Sequence, residues 1–183
     1  PRRLNVRKTI FVGSVLVAFF IYTYFIRDPK IREIPPITGG TMGTTYEIKI
    51  ANSPMTVRRL QELARDIRGL LQGINRQMST YIEDSGISEF NRSRSTEPYT
   101  VPKDFAKVVS YAQDLAGETA GAFDPTLGPL IRRWGFGHTS PAAAAPKSGE
   151  IRELMERCGY SNLLVLTNQQ IQKRVPGLEL NLS

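Results

Sequence analysis

The sequence predicts an α+β fold, a mixed sheet with packed helices, preceded by one N-terminal transmembrane helix. Three observations carry this reading. A charge-free apolar run fills Thr9 to Ile26. Two long segments repeat apolar residues at helical spacing. Short alternating segments occur at both ends of the remainder without a strict strand–helix–strand rhythm, which disfavours a doubly wound sheet.

The run TIFVGSVLVAFFIYTYFI comes after Arg2, Arg3, Arg7 and Lys8. At the rise of an α-helix it spans roughly 27 Å, close to the ~30 Å hydrocarbon core. Basic residues ahead of it predict a cytoplasmic segment over 1–8 and export of the chain beyond the run. The continuation RDPKIREIPP has no small-residue cleavage pattern, and no cysteine succeeds the run as a lipoprotein signal requires. An uncleaved signal anchor over 9–26 is therefore favoured over a cleaved peptide. Residues 27–38, with Pro29, Pro35 and Pro36, read as an extended linker, and 39–183 as the main domain. Because the chain of 183 residues begins at Pro1 and stops at Ser183 within an alternating run, it is expected to be a piece of a longer one.

Within the domain, Gly39–Thr45 reads as a glycine-rich turn before a half-buried strand at Tyr46–Ile50. Val57, Leu60, Leu63, Ile67, Leu70, Leu71, Ile74 and Met78 predict a helix from about Thr56, its N-cap, to Met78. The polar stretch Ser79–Asn91 reads as a loop with one helical turn near Ile87–Phe90. Pro102 opens a second helix with Phe105, Val108, Val109, Ala112 and Leu115 on one face. Thr139–Gly149 reads as a mobile connection. A short helix at Glu150–Cys158 and strands at Leu163–Leu166, Ile171–Val175 and Leu178–Leu182 complete the chain.

A net charge of +7 invites a nucleic-acid reading. The basic excess partly flanks the apolar run and is otherwise mixed with acids, without a stacking platform, so no nucleic-acid partner is expected. The one cysteine, Cys158, excludes an internal disulfide and a cysteine metal cluster; packing is its expected role. The one histidine, His138, leaves no Ser-His-Asp or Cys-His set, and is expected to be solvated. The loop GGTMGTT lacks both a dinucleotide fingerprint and a P-loop lysine, so from its residues alone it is an ordinary tight turn.

The segment Gly121–Gly137, GAFDPTLGPLIRRWGFG, is more informative. Gly121 permits a left-handed helix stop, and Pro125 and Pro129 fix the backbone. A rigid loop with aromatic walls suits a planar heterocycle. Core packing is the alternative for Trp134 and Phe136, and turn capping the alternative for Asp124.

GTMGTTYEI, MSTYIEDSGISEFN, AGAFDPTLGPLIRRWGFG and LELNLS stand here in the order and spacing of the FAD:protein FMN transferases of the ApbE family, which the chain resembles from Thr38 to Ser183. The resemblance implies an ApbE/T-fold-like domain with FAD in a cleft between its two parts. It implies Mg²⁺ on the pyrophosphate and attack by a client threonine on the FMN phosphorus, with release of AMP. By motif, Met42 and Tyr81 would contact the flavin end, and Ala122, Phe123 and Asp124 would line the nucleotide pocket. Asn181 stands where the family more often has an aspartate contacting FAD; it keeps an acceptor oxygen but loses the charge. The family's metal-ligating carbonyl, lysine and Asp/Thr metal motif fall after the position of Ser183. No catalytic residue and no metal ligand is therefore assigned in this chain, which alone is expected to be inactive. The family's clients are subunits of membrane redox complexes of the sodium-translocating NADH:quinone reductase and Rnf types. The implied location is the bacterial inner membrane, single-pass, with the domain facing the periplasm. Two alternatives stay open: an FAD pyrophosphatase giving FMN and AMP, and a non-catalytic, membrane-anchored FAD-binding protein.

Overall fold

The computed structural model describes residues 6–23, 30–31, 33–51, 54–136 and 144–182. The chain divides into two compact units, Pro1–Gly69 and Leu70–Ser183.

The first unit begins with helix α1, Val6–Ile21, whose apolar side chains from Phe11 onward are largely exposed. It starts ahead of the expected Thr9, taking in Arg7 and Lys8, and its 16 residues give about 24 Å of length. No helix among the described residues is long and apolar enough to cross a membrane. Residues 24–29, which include the outer end of the predicted 9–26 span, lie outside the described ones. Two pieces of the predicted linker are paired. β1 (Lys30–Ile31) runs antiparallel to β4 (Met55–Thr56), and Ile37 and Thr38 open β2.

β2 (Ile37–Thr41) and β3 (Thr44–Ile48) form a hairpin in which Thr41 faces Thr44. The turn is thus Met42-Gly43, with φ of 52° and 72°, the signs a type I′ turn demands at both central positions. The expected glycine-rich turn is in fact mostly strand. Gly39 sits opposite Tyr46, and a Cβ there would lie 2.5 Å from the Tyr46 hydroxyl, so glycine lets the ring lie across the ladder.

Helix α2, Val57–Met78, begins where its pattern predicts, with Thr56 Oγ1 accepting from the Arg59 amide at 3.3 Å. Its apolar stripe is only partly covered; Val57 and Leu70 are exposed.

In the second unit, α3 (Gly86–Arg92) is capped by Ser85, whose side chain accepts from the Ser88 amide. α4 (Lys103–Glu118) comes directly after Pro102. Its buried residues are Phe105, Ala106, Val109, Ala112 and Ala116, whereas Val108 and Leu115 are exposed. The predicted face is therefore rotated: at 100° per residue the two exposed residues lie a quarter turn from the stripe's centre, and small alanines take the contact instead. α5 (Gly128–Arg133) forms inside the segment read as a rigid loop, and α6 spans Ser148–Met155. Of the predicted connection Thr139–Gly149, residues 139–143 lie outside the described ones.

β5 (Tyr99–Thr100), β7 (Gln170–Lys173) and β6 (Leu163–Thr167) form a three-stranded antiparallel sheet in the order β5-β7-β6. Every ladder among the described residues is antiparallel; the expected mixed character reduces to one isolated parallel bridge, Leu127 to Glu179. The core joins Ile87 and Phe90 of α3, Phe105 and Val109 of α4, Leu163 and Ile171 of the sheet, and Leu178 and Leu180. The strand predicted at Leu178–Leu182 does not form. Its apolar alternation is real, with Leu178 and Leu180 buried, but its backbone bonds go to a side chain and a loop rather than to a strand.

Candidate functional site

The segment Gly121–Gly128 begins at the end of α4. The Gly121 amide donates to Ala116 O at 2.8 Å and the Ala120 amide to Gly117 O at 3.1 Å, a Schellman stop. Ala120, not Gly121, takes the first left-handed position, with φ 51°; Gly121 comes next at 83°. Thr119 Oγ1 then accepts from the Phe123 amide at 3.2 Å, which leaves Ala122 and Phe123 exposed on the outside of the bend.

Asp124 organises the next four residues. Its Oδ1 accepts from the Thr126 amide at 2.8 Å and from the Thr126 hydroxyl at 2.6 Å. Its Oδ2 accepts from the Tyr160 amide at 3.0 Å. Thr126, fully buried, in turn accepts from the Gly159 amide at 2.7 Å. Both carboxylate oxygens are therefore engaged within the protein, and the turn-capping reading of Asp124 describes its geometry here. Pro125 O accepts from the Asn181 amide at 2.8 Å. A Cβ on Gly128 would lie 2.9 Å from Glu179 O, so only glycine permits that approach. The loop thus braces residues 179–181 from behind.

Residues 179–181 and Gly128 also line a cavity of about 300 Å³. Thr80 and Glu83 from the loop before α3, Ser88, Asn91 and Arg92 from α3, Ile131 and Arg132 from α5, Phe136, and Glu179 to Asn181 line it. Arg132 pairs with Glu179, donating to Oε1 at 2.6 Å, and that bond raises the guanidinium's pKa. Asn91 donates to Leu180 O at 2.8 Å and accepts from Leu180 N at 2.7 Å, standing in for the missing strand partner.

Of the residues singled out from sequence, Asn181 lines the cavity, while Tyr81, 63% exposed, belongs to the loop that supplies Thr80 and Glu83. Ala122, Phe123 and Asp124 do not line it. Met42 belongs to the first unit, where it stands 60% exposed at the hairpin tip in a left-handed conformation rare for a residue with a side chain. Trp134 and Phe136 are 46% and 69% exposed, which overturns the core-packing alternative for both. The Phe136 amide donates to Ile131 O at 3.0 Å, and Gly135 turns left-handed, so α5's own stop presents the ring.

Cys158 lies just past α6, buried, with its thiol 3.3 Å from Leu154 O; burial pushes its pKa up to about 11, as packing rather than chemistry requires. His138 lies outside the described residues. No group of three or more His, Cys, Asp or Glu that could hold a metal ion occurs among the described residues.

Asn91 and Thr126 fall inside the quoted motifs, but no sequence signal marks their organising contacts, nor, in large part, that of Lys173. Lys173 is 1% exposed and donates to Phe90 O at 2.7 Å and Ser93 O at 2.6 Å. Its one signal is positional. In Ile171–Lys173–Val175 the lysine holds an inward phase of a period-two pattern, where a charge needs buried partners.

A family model described as the ApbE family matches residues 42–183. The FAD:protein FMN transferase of Vibrio cholerae is 38% identical over 154 residues, covering 84% of this chain and 46% of its own length. That of Haemophilus influenzae is 31% identical over 158 residues, with coverage of 84% and 46%. Among solved structures, the flavin transferase ApbE from Vibrio cholerae matches with a TM-score of 0.70 and 34% identity, over 85% of this chain and 48% of that one. The apo form of the Pseudomonas stutzeri flavinyl transferase ApbE matches with a TM-score of 0.70 and 26% identity, over 85% of this chain and 50% of that one. The chain spans about half the length of the relatives it matches.

Proposed function

This chain belongs to the ApbE family, and from that premise we propose that the protein it is part of is an FAD:protein FMN transferase. A client threonine oxygen forms a bond to the FMN phosphorus of FAD, and the bond from that phosphorus to the oxygen shared with the AMP half breaks. AMP leaves with the electron pair, and the hydroxyl proton passes to a base or to solvent.

One observation carries the reading beyond the family match: motif pieces far apart in sequence line a single cavity. Thr80 and Glu83, Asn91, Gly128 and Arg132, and Asn181 meet there. At about 300 Å³ the cavity takes part of a dinucleotide, and exposed Tyr81 and Phe136 offer ring faces beside polar side chains, the composition a planar heterocycle needs. In this chain Asn181 and Tyr81 bind and orient FAD at the cavity. Met42, in the first unit, is proposed as a flavin contact on its motif alone. Ala122 and Phe123 present backbone and ring to the nucleotide, and Asp124 shapes the loop that carries them.

Mg²⁺ is the proposed cation of the whole protein, supplying charge neutralisation at phosphate oxygens. The family resemblance places the metal-ligating carbonyl and the Asp/Thr metal motif after the position of Ser183, so no residue of this chain is assigned to the cation. The run 9–26 is proposed to anchor the protein in the bacterial inner membrane with the domain in the periplasm. The basic residues before it and the exposed apolar side chains of α1 support this. Clients would be subunits of membrane redox complexes of the sodium-translocating NADH:quinone reductase or Rnf type, which tethering brings to high effective concentration.

The test is to incubate the full-length protein with FAD, Mg²⁺ and a client subunit. A fluorescent client band that survives denaturing electrophoresis is expected. Release of FMN and AMP with the client left unlabelled would make the protein a pyrophosphatase instead, and FAD binding without turnover would make it a carrier.

A further inference from the structure

We propose that Lys173 and Asn91 form a coupled positioning pair that fixes the Leu180–Asn181 wall of the cavity and thereby sets its affinity for FAD. The proposal rests on the reading that this cavity takes FAD.

The last carbonyls of a helix have no partner within it. At the end of α3 the Lys173 amine, from β7, donates to Phe90 O, which also accepts from the Ser93 amide at 3.2 Å, and to the C-cap carbonyl Ser93 O. The same nitrogen lies 4.4 Å from the centroid of the Phe90 ring. An ammonium has three donors and no acceptor, so two carbonyls and one ring face account for all of them. The positive charge also sits at the negative end of the α3 dipole. Asn91 lies between the two anchored carbonyls in sequence, so the bonds that hold Phe90 and Ser93 also fix where the Asn91 side chain begins.

From there the Asn91 amide meets Leu180 at two points, donating to its carbonyl and accepting from its N–H. Leu180, Asn181 and Asn91 all line the cavity. The neighbouring Asn181 amide is held from the other side by Pro125 O. The wall is therefore clamped between α3 and the Asp124 loop, without belonging to any sheet.

Packing alone does not call for a lysine here. At this buried position beside the Phe90 ring an apolar side chain of similar length would fill the space without desolvating an amine. That cost is visible in the burial that pushes the Lys173 pKa down to about 8. What an apolar residue lacks is a donor for the carbonyls on either side of Asn91.

The test uses the full-length protein, with Lys173→Met, Asn91→Ala and the double variant. Two quantities are read: the FAD dissociation constant, and hydrogen exchange at the Leu180 amide without FAD. Each folded single variant is expected to lose Leu180 protection and to bind FAD about tenfold more weakly, the equivalent of one hydrogen bond's worth of positioning. The double variant should be no weaker than the worse single one, because both act through one wall. FAD affinity unchanged in the folded single variants, or losses that multiply in the double variant, would overturn the proposal. If Lys173→Met does not fold, Asn91→Ala alone decides: intact Leu180 protection or unchanged affinity overturns the pair. A wild type that binds no FAD defeats the functional reading and the affinity claim with it, and is told apart because the exchange at Leu180 is measured without ligand.

Discussion

Two loops, one in each unit, carry sequence motifs of the family, and the structure builds them in opposite ways. The Asp124 loop of the second unit is closed on itself. Its carboxylate is spent on Thr126 and Tyr160, its threonine is buried, and its glycine admits a neighbouring backbone. The Met42 tip of the first unit is open: a two-residue turn that holds a non-glycine residue at positive φ and leaves its side chain exposed. In the first loop the recognisable residues make the shape. In the second they bear a conformational cost and offer a contact surface. A motif residue can thus mark a site without touching its ligand.

The largest effect expected from this contrast is at Asp124. Replacing it with alanine strips the acceptor from the Thr126 amide and hydroxyl and from the Tyr160 amide. Each buried donor left unsatisfied costs ~1–3 kcal/mol, so a loss of about 3 kcal/mol is expected after partial rehydration. Urea denaturation reads it, and a loss under about 1 kcal/mol would return Asp124 to the role of a direct FAD ligand.

Met42→Gly should act in the reverse sense. Relief of the left-handed strain stabilises the hairpin by ~1 kcal/mol, while FAD affinity falls because the exposed side chain is gone. A variant that gains stability and keeps its affinity would break the comparison, leaving the tip as an ordinary turn.

A further effect is a pH dependence at Lys173. Its folded pKa of about 8 lies below the unfolded value of about 10.4. Between these values the unfolded chain retains a proton that the folded chain has released, so the Lys173 contribution to stability rises with pH across that window. Denaturation midpoints of the wild type, compared with Lys173→Met at pH about 7 and about 10, should diverge in favour of the wild type at the higher pH.

Much of the helical frame was legible in the sequence because long periodic segments declare themselves. The helix ending at Met78, with Thr56 as its cap, and the helix after Pro102 stand as read in extent, while the buried face of the second is rotated from the predicted one. β1, β4 and β5, two residues each, are too short to carry a period. Leu178–Leu182 misled for a physical reason. Its alternation reports burial of Leu178 and Leu180, which a strand and a side-chain-clamped segment share, and only tertiary pairing with Asn91 separates them. Of the cavity's lining, Asn181 and the loop of Tyr81 were named by motif. The bracing role of Asp124, and the parts of Asn91 and Lys173, depend on contacts 36 and 80 to 89 positions apart that no local pattern contains.

The central claim is that this chain supplies part of an FAD site serving transfer of FMN to protein. Its most direct test is the mass of a client subunit after incubation with the full-length protein, FAD and Mg²⁺. The expected product is a client carrying one FMN in phosphoester linkage on a threonine, with one AMP released per client modified. AMP release that proceeds equally with or without client, while the client's mass stays unchanged, would contradict the claim.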